Sequence, residues 1–259
     1  MDGRVYQQME AVEDRHWWFL GRRAVIASVL TDLPPGRVLD AGCGSGGNLS
    51  LYAALGPVFG VDTVADPLVR ARRRGYQGVG VASLPCLPFA DGAFDLVAAT
   101  DVVEHVADGV GALRELLRVT RPGGRLLITV PAYRWLWSDS DVQLGHHRRY
   151  TRPELVEQCR AAGAQVIRAT YFNTTLLAPI AAVRWARTRS GKPMAATELE
   201  QTGPVANRLL RLPMVAEARL IGAGISLPAG VSIVCLAAKP GRAPEPAPAA
   251  SAVRSAPGS

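Results

Sequence analysis

Residues 37–47 read RVLDAGCGSGG: an apolar run closed by Asp40, then glycines at 42, 44 and 47 in G-x-G-x-x-G spacing, with a further glycine at 46. A short apolar run ended by glycine has the length of a buried strand, and glycine lets the following backbone turn sharply and approach a ligand closely. In an open α/β sheet, the loop from a strand's carboxyl end to the next helix is where ligands bind. The spacing alone is a weak signal. Asp40 sharpens it, because a carboxylate at the mouth of the loop repels a pyrophosphate and attracts an ammonium or sulfonium. Residues 41–50 also carry no Lys or Arg to meet a phosphate. A cationic nucleoside bearing an amino acid therefore fits better than a dinucleotide.

Working outward, strand-like runs fall at 37–41, 58–62, 79–82, 94–100, 125–130, 165–172 and 231–238, with helices expected at 49–55, 66–74, 110–119 and 153–162. This alternation predicts an α/β fold, a Rossmann-like doubly wound parallel sheet with helices on both faces. Arg121-Pro-Gly-Gly124 is a stop-and-turn signal ahead of the fifth strand. Two regions exceed a minimal sheet: 1–32, expected as an N-terminal helical lid, and 173–230, expected as a helical insertion between the last two strands. The core is then 33–172, completed by a last strand within 231–239. The Pro/Ala/Ser-rich residues 240–259 are expected as a disordered tail.

The second strand ends VFGVD, placing Asp62 about 20 residues beyond the first glycine, where an acid accepts hydrogen bonds from ribose hydroxyls. After the third strand, Ser83 and Leu84 offer backbone groups to an adenine edge. The fourth strand ends at Thr100-Asp101, with Glu104 and His105 just beyond.

Four ordered motifs, DAGCGSG, LPFADGAFDLV, EHV and RVTRPGGRL, lie between residues 37 and 130. In these the chain resembles the class I S-adenosylmethionine-dependent methyltransferases, in particular the bacterial group acting on small molecules. The resemblance implies a seven-stranded sheet with the last strand antiparallel, and S-adenosylmethionine as cofactor. It also implies Asp40, Gly42, Gly44 and Gly46, with Cys43 among them, as the loop on the methionine side. Asp62 becomes the ribose acid, Ser83 and Leu84 the adenine contacts, and Asp101 a neighbour of the transferable methyl. Many relatives have an acid where Ser83 stands, so the match departs there.

Methyl transfer from a sulfonium is an in-line displacement, and a base is needed only if the acceptor still carries its proton. Acceptor-site candidates lie in EDRHWWFLGRR (13–23) and PAYRWLWSDSDVQLGHHRRYT (131–151), both dense in aromatic, His and Arg side chains. Chains of this group with H-W-W-F near the start also tend to carry W-S-x-x-D and G-H-x-R-R-Y, present here at 137–141 and 145–150. His146 and His147 are the leading base candidates because imidazole accepts a proton near neutral pH. His105 competes, and Tyr150 completes the catalytic set. Against these roles, Arg148 and Arg149 can simply pair with Asp139 or Asp141, and Trp17, Trp18 and Trp135 can be core that seats the N-terminal helix. Four dispersed histidines, and cysteines at 43, 86, 159 and 235 with no C-x-x-C pair, predict no metal site and no disulfide framework.

The net charge of +7 is nearly all arginine, with Lys192 and Lys239 the only lysines, and is weak evidence of a polyanionic partner. Amino-methylating DNA enzymes resembling this fold carry [DNS]-P-P-[YFW] after the fourth strand, where this chain has Thr100-Asp101-Val102-Val103, so no nucleic-acid partner is expected. No apolar run is long enough to span a bilayer and residues 1–18 lack a signal-peptide core, which predicts a bacterial cytoplasmic protein. The insertion mixes apolar runs with Arg184, Arg187, Arg189 and Lys192. That pattern suits either a greasy, basic-rimmed surface touching the inner membrane face or a cap with a homodimer interface. The expected function is S-adenosylmethionine-dependent methylation, O-directed, of a small-molecule or lipid-linked metabolite. The alternatives are a cofactor-binding but inactive regulatory or scaffold module and, lower, a nucleic-acid methyltransferase.

Overall fold

The computed structural model describes residues 3–190 and 202–241. Its seven-stranded sheet is built from β1 (Val38–Ala41), β2 (Val58–Asp62), β3 (Gly78–Val81), β4 (Phe94–Thr100), β5 (Thr120–Pro131), β6 (Gln165–Phe172) and β7 (Ser232–Ala238), in the order β3-β2-β1-β4-β5-β7-β6. The first five strands pair in parallel, and β7 inserts antiparallel between β5 and β6. The strand order reverses between β1 and β4. At such a switch point the loops following the two strands part to opposite faces and leave a crevice at the sheet's carboxyl edge.

One strand starts earlier than its turn signal suggests. β5 already pairs at Thr120 with Phe94, and the ladder resumes at Arg125 opposite Leu96, so residues 121–124 loop out of a continuing strand. Gly123, at φ 74°, supplies the left-handed backbone the excursion needs, and Arg121 ion-pairs with Asp95 across it. The RPGG turn is thus a bulge within β5 and not a stop before it.

Apolar layers cover both faces of the sheet. On one face, α5 (Gly109–Val119) buries Ala112, Leu113, Leu116 and Leu117, spaced as one helical stripe, beside Leu155 and Cys159 of α7 (Arg152–Ala161). On the other, α2 (Trp17–Val29) packs along α9 (Pro204–Gly222), with Val25, Ile26, Met214 and Ile221 buried against β-strand side chains. Gly21 permits that approach, since a Cβ there would fall 2.4 Å from the Met214 sulfur. The second half of the expected N-terminal lid is therefore core. α1 (Gly3–Val12) and the turn after it lie over the glycine loop, joined there by Arg23 of α2, which donates to the Gly47 carbonyl at 2.8 Å.

Within 173–230 the structure has α8 (Leu177–Ser190) and α9, the latter tied to the end of β6 by Glu217, which accepts from the Thr174 and Thr175 amides. Residues 242–259, which hold nearly all of the expected tail, lie outside the described residues, as do Lys192 and the side chains of Arg187 and Arg189. Among the described residues no helix is long and apolar enough to cross a membrane.

Candidate active site

A cavity of about 800 Å³ opens over the carboxyl ends of β1, β2 and β4. Its floor is the glycine loop, held down by Gly42 and Cys43 amides donating to the Val61 carbonyl at 2.7 and 2.9 Å. The glycines divide into two kinds. A Cβ at Gly42 would strike Val102 at 2.4 Å, and one at Gly46 would meet Tyr76 at 2.9 Å and the Ala71 backbone at 3.1 Å, so both serve packing. Gly44 is open, with only Tyr6 at 3.9 Å, and it faces the cavity. Cys43 and Gly42 also border the space, whereas Gly46 is turned toward α4 (Ala65–Arg74), correcting its expected place at the ligand.

Asp62 sits where a ribose acid is expected. It accepts from the Gly44 amide at 2.9 Å, the Val64 amide at 3.1 Å and the Tyr6 hydroxyl at 2.9 Å. Asp40 does not stand at the mouth. It is fully buried beneath the loop, accepting from Tyr76 at 2.8 Å, and burial pushes its carboxyl up to about 7 against the pull of that hydrogen bond. The alternation of β1 explains this correction, because the side chain two before the first glycine points into the layer under α4. Ser83, bridged to Cys86, and the buried Leu84 edge the cavity beyond β3, where adenine contacts were expected.

After β4 the chain turns through Asp101 at φ 56°. Its carboxylate is ion-paired with Arg22 from α2 and accepts from Thr129 at 3.0 Å. A 3-10 turn, Val103–His105, then presents Glu104 and His105 to the cavity. Glu104 is fully buried with neither carboxylate oxygen hydrogen-bonded, and burial, with the Asp101 charge, raises its pKa well above the carboxylate range. Burial, reinforced by His146, pushes His105 down to about 4.

His146 reaches this cluster because α6 (Asp139–Leu144) ends at Gly145 in the left-handed conformation, which folds the chain back. Its Nδ1 lies 2.8 Å from Asp141 Oδ1, its Nε2 4.0 Å from Glu104, and its ring stands edge-on to His105 at 4.6 Å. Burial opposes ionisation of Asp141, but hydrogen bonds from His146 and Arg149 outweigh it and hold the carboxyl well below its usual range. Two expected base candidates fall elsewhere. His147 points out to solvent while its amide donates to the Glu104 carbonyl, and Tyr150 is buried in the α5 layer with its hydroxyl beneath Gly109. Neither side chain lines the cavity, which takes His146 and Arg149 from this stretch.

The remaining wall is apolar. Leu176, Pro179, Ile180 and Val183 come from the α8 region, beside Trp17 and Trp18. Trp18 stacks on Phe172 at 5.9 Å, while Trp135 is 63% exposed and lies outside the core. Arg184, expected on a basic rim, is instead buried in the wall and donates to the Leu136 carbonyl. Sequence patterns pass over Tyr6, Glu13, Arg22 and Asn48. Glu13 accepts from Ser45 at 2.7 Å, and Asn48 donates to Thr100 at 3.0 Å, so the lid and both loops interlock. The signal for Glu13 and Arg22 was the density of Glu, Arg and aromatic residues in 13–23, which locates a covering segment without saying which side chain enters; Tyr6 and Asn48 lie outside it.

A family model described as a methyltransferase domain matches residues 39–128, from β1 into β5. A probable S-adenosylmethionine-dependent methyltransferase of Mycolicibacterium smegmatis is 33% identical, aligned over 59% of this chain and 61% of its own length. Residues 39–128 of the core are a methyltransferase domain, similar to those of S-adenosylmethionine-dependent enzymes. A malonyl-[acyl-carrier protein] O-methyltransferase of Enterobacter lignolyticus is 32% identical, aligned over 64% of this chain and 66% of its own length. The chain spans about half the length of the curated relatives it matches. A chain from the complex between the Haloferax volcanii Trm112 methyltransferase activator and a putative methyltransferase superposes with a TM-score of 0.60, at 20% identity, covering 92% of this chain and 95% of that one. At that identity it bears on the fold alone. The glycine loop of this core has an open position at Gly44, an amide there that donates to Asp62, and no basic side chain.

Proposed function

We propose that this methyltransferase transfers the methyl group of S-adenosylmethionine to an oxygen of a small-molecule or lipid-linked acceptor. The observation that carries this is the shape of the cavity. It continues past Asp101 into a region whose polar end holds His105 and His146 and whose remaining wall is the apolar side of α8. S-adenosylmethionine supplies an electrophilic methyl on a sulfonium. Asp62 holds the ribose hydroxyls, for which the Tyr6 hydroxyl is the stand-in, and Gly44 lets the backbone lie against the methionine portion. Arg22 and Thr129 fix the Asp101 carboxylate near the methyl end, where negative charge favours a sulfonium.

The chain's contribution to transfer is to align the acceptor and exclude water, which Trp17, Trp18 and the α8 wall do. His105 and His146 stand at the polar end, where a hydroxyl acceptor would be held. Outside the cavity, Val205, Leu209 and Leu212 form an exposed stripe on α9 beside exposed Arg208 and Arg211, which supports contact with an anionic bilayer carrying the acceptor. Incubation with methyl-labelled cofactor and a cell extract, followed by the mass of the labelled product, tests the assignment. A labelled, organic-extractable ether or ester is expected. Full cofactor binding with no label transfer to any fraction would replace this function with that of a cofactor-binding scaffold.

A further inference from the structure

We infer that Glu104, His105 and His146 bind a divalent first-row transition-metal ion at the acceptor end of the cavity. Each side chain offers one ligand atom, and these atoms lie within 4.8 Å of one another. Small side-chain rotations bring such a set to bond lengths of about 2.1 Å around one ion. The histidines that look dispersed in the sequence are here neighbours, because the turn after β4 and the fold-back after α6 meet over the sheet edge.

The second observation is the state of Glu104. A fully buried carboxylate with both oxygens lacking a hydrogen bond is costly, and this one borders the cavity. A cation between it and two imidazoles supplies the missing partner. The imidazoles are also held as metal ligands usually are. Asp141 engages His146 Nδ1 at 2.8 Å and leaves Nε2 directed at Glu104, while His105 is hydrogen-bonded to the Gly145 backbone. Asp141 is itself fixed by Ser138 and Arg149. Two nitrogens and one oxygen, with no thiolate, select a zinc, ferrous or manganous ion over magnesium, which prefers an all-oxygen shell.

Three protein ligands leave positions open toward the cavity, as in catalytic sites. Resting on the methyl-transfer function proposed above, the open positions define the acceptor as a chelating oxygen compound, with a hydroxyl beside a second oxygen. The ion lowers the hydroxyl's pKa. Its O–H proton leaves to solvent, the oxygen lone pair forms the bond to the methyl, and the S–CH3 bonding pair stays on sulfur as the sulfonium becomes a neutral thioether.

The test uses the untagged full chain, stripped with a chelator and titrated with Zn²⁺ and, for its visible spectrum, Co²⁺. One ion per chain is expected, with Co²⁺ absorption typical of low-coordinate nitrogen and oxygen ligation. Glu104→Gln, His105→Gln and His146→Gln should each weaken binding by at least about 100-fold. Asp141→Asn, which leaves all three ligands, should weaken it by about 10- to 100-fold. Binding of S-adenosylmethionine, measured on the same samples, should persist and certifies the fold of each variant. Failure of the wild-type chain to take up a stoichiometric ion, or equal affinity in variants that still bind S-adenosylmethionine, overturns the metal site and leaves the methyltransferase function standing. Uptake of one ion by a chain that does not bind S-adenosylmethionine supports the metal site and overturns the methyl-transfer function instead.

Discussion

The Tyr6 hydroxyl donates to Asp62 at 2.9 Å across 56 positions of sequence, so a residue of the first helix occupies the carboxylate that the proposed function assigns to the cofactor ribose. Binding must exchange one donor for another. Tyr6→Phe removes the competitor and is expected to tighten S-adenosylmethionine binding by up to about 10-fold, the worth of one hydrogen bond of roughly 1 kcal/mol. Asp62→Ala removes the acceptor altogether and should weaken binding by roughly 1–3 kcal/mol. Calorimetry on the two variants reads both signs; weaker binding in Tyr6→Phe would mean that Tyr6 is part of the bound site.

The two inner glycines are expected to fail differently. Gly46→Ala places a Cβ on Tyr76 and the Ala71 backbone at φ 87°, which should cost roughly 1–3 kcal/mol of stability. A bulky residue at Gly44 meets open cavity, so Gly44→Leu should abolish cofactor binding with a smaller effect on the melting temperature. Thermal melts and calorimetry separate the two. A reversal of these roles would place the ligand on the other side of the loop.

The Arg22–Asp101 pair joins α2 to the turn after β4. Arg22→Leu leaves Asp101 and the unpaired Glu104 facing each other and is expected to destabilise the fold by roughly 2–4 kcal/mol, less than a fully buried pair because Asp101 is one quarter exposed. Arg22→Leu combined with Asp101→Asn should recover part of that loss. Chemical denaturation of the single and double variants gives the coupling, and strict additivity would show that the two residues act separately.

Asp40 makes stability fall as pH rises. Its folded carboxyl titrates near 7, above the ordinary aspartate value, so between those two pH values the folded state holds a proton that the unfolded state has lost. The unfolding free energy then declines with a slope of up to about 1.4 kcal/mol per pH unit. Asp40→Asn, which stays neutral, should lose this term, so its stability relative to wild type rises from pH 4 to pH 7 and then levels. Denaturation midpoints across that range check it; parallel curves would show that Asp40 ionises freely.

His146→Ala is expected to lower turnover by about 10²-fold or more with little change in cofactor affinity. His147→Ala and Tyr150→Phe, whose side chains lie outside the cavity, should keep near-full turnover. Activity lost in His147→Ala alone would move the acceptor to the outer side of that loop.

Local patterns predicted the strands, the glycine loop and Asp62 because each depends on neighbours in sequence: alternation along a strand, a tight turn, a carboxylate at a strand end. The same reasoning misplaced Asp40, since a two-residue period says that a side chain changes face but not which face a helix will cover. It also set His146 level with His147 as a base candidate and added Tyr150 to the set. Only the fold-back at Gly145, with Asp141 buried beneath it, turns the first inward and leaves the other two in solvent and in the opposite layer.

The amino-acid sequence by itself thus determined the crevice and the chemical class of the cofactor, set by motifs within residues 37–130, and the run of strands that makes the sheet, which continues to residue 238. Tertiary structure alone decided who shares the crevice: Tyr6 on Asp62, Arg22 on Asp101, and Glu104 beside two histidines 41 positions apart in the chain. The physical reason is that these pairings follow from how α1, α2 and the segment after β5 close over one sheet edge. That closure is driven by apolar packing of α2 against α9 and β-strand side chains, and the polar side chains are carried to their partners with it.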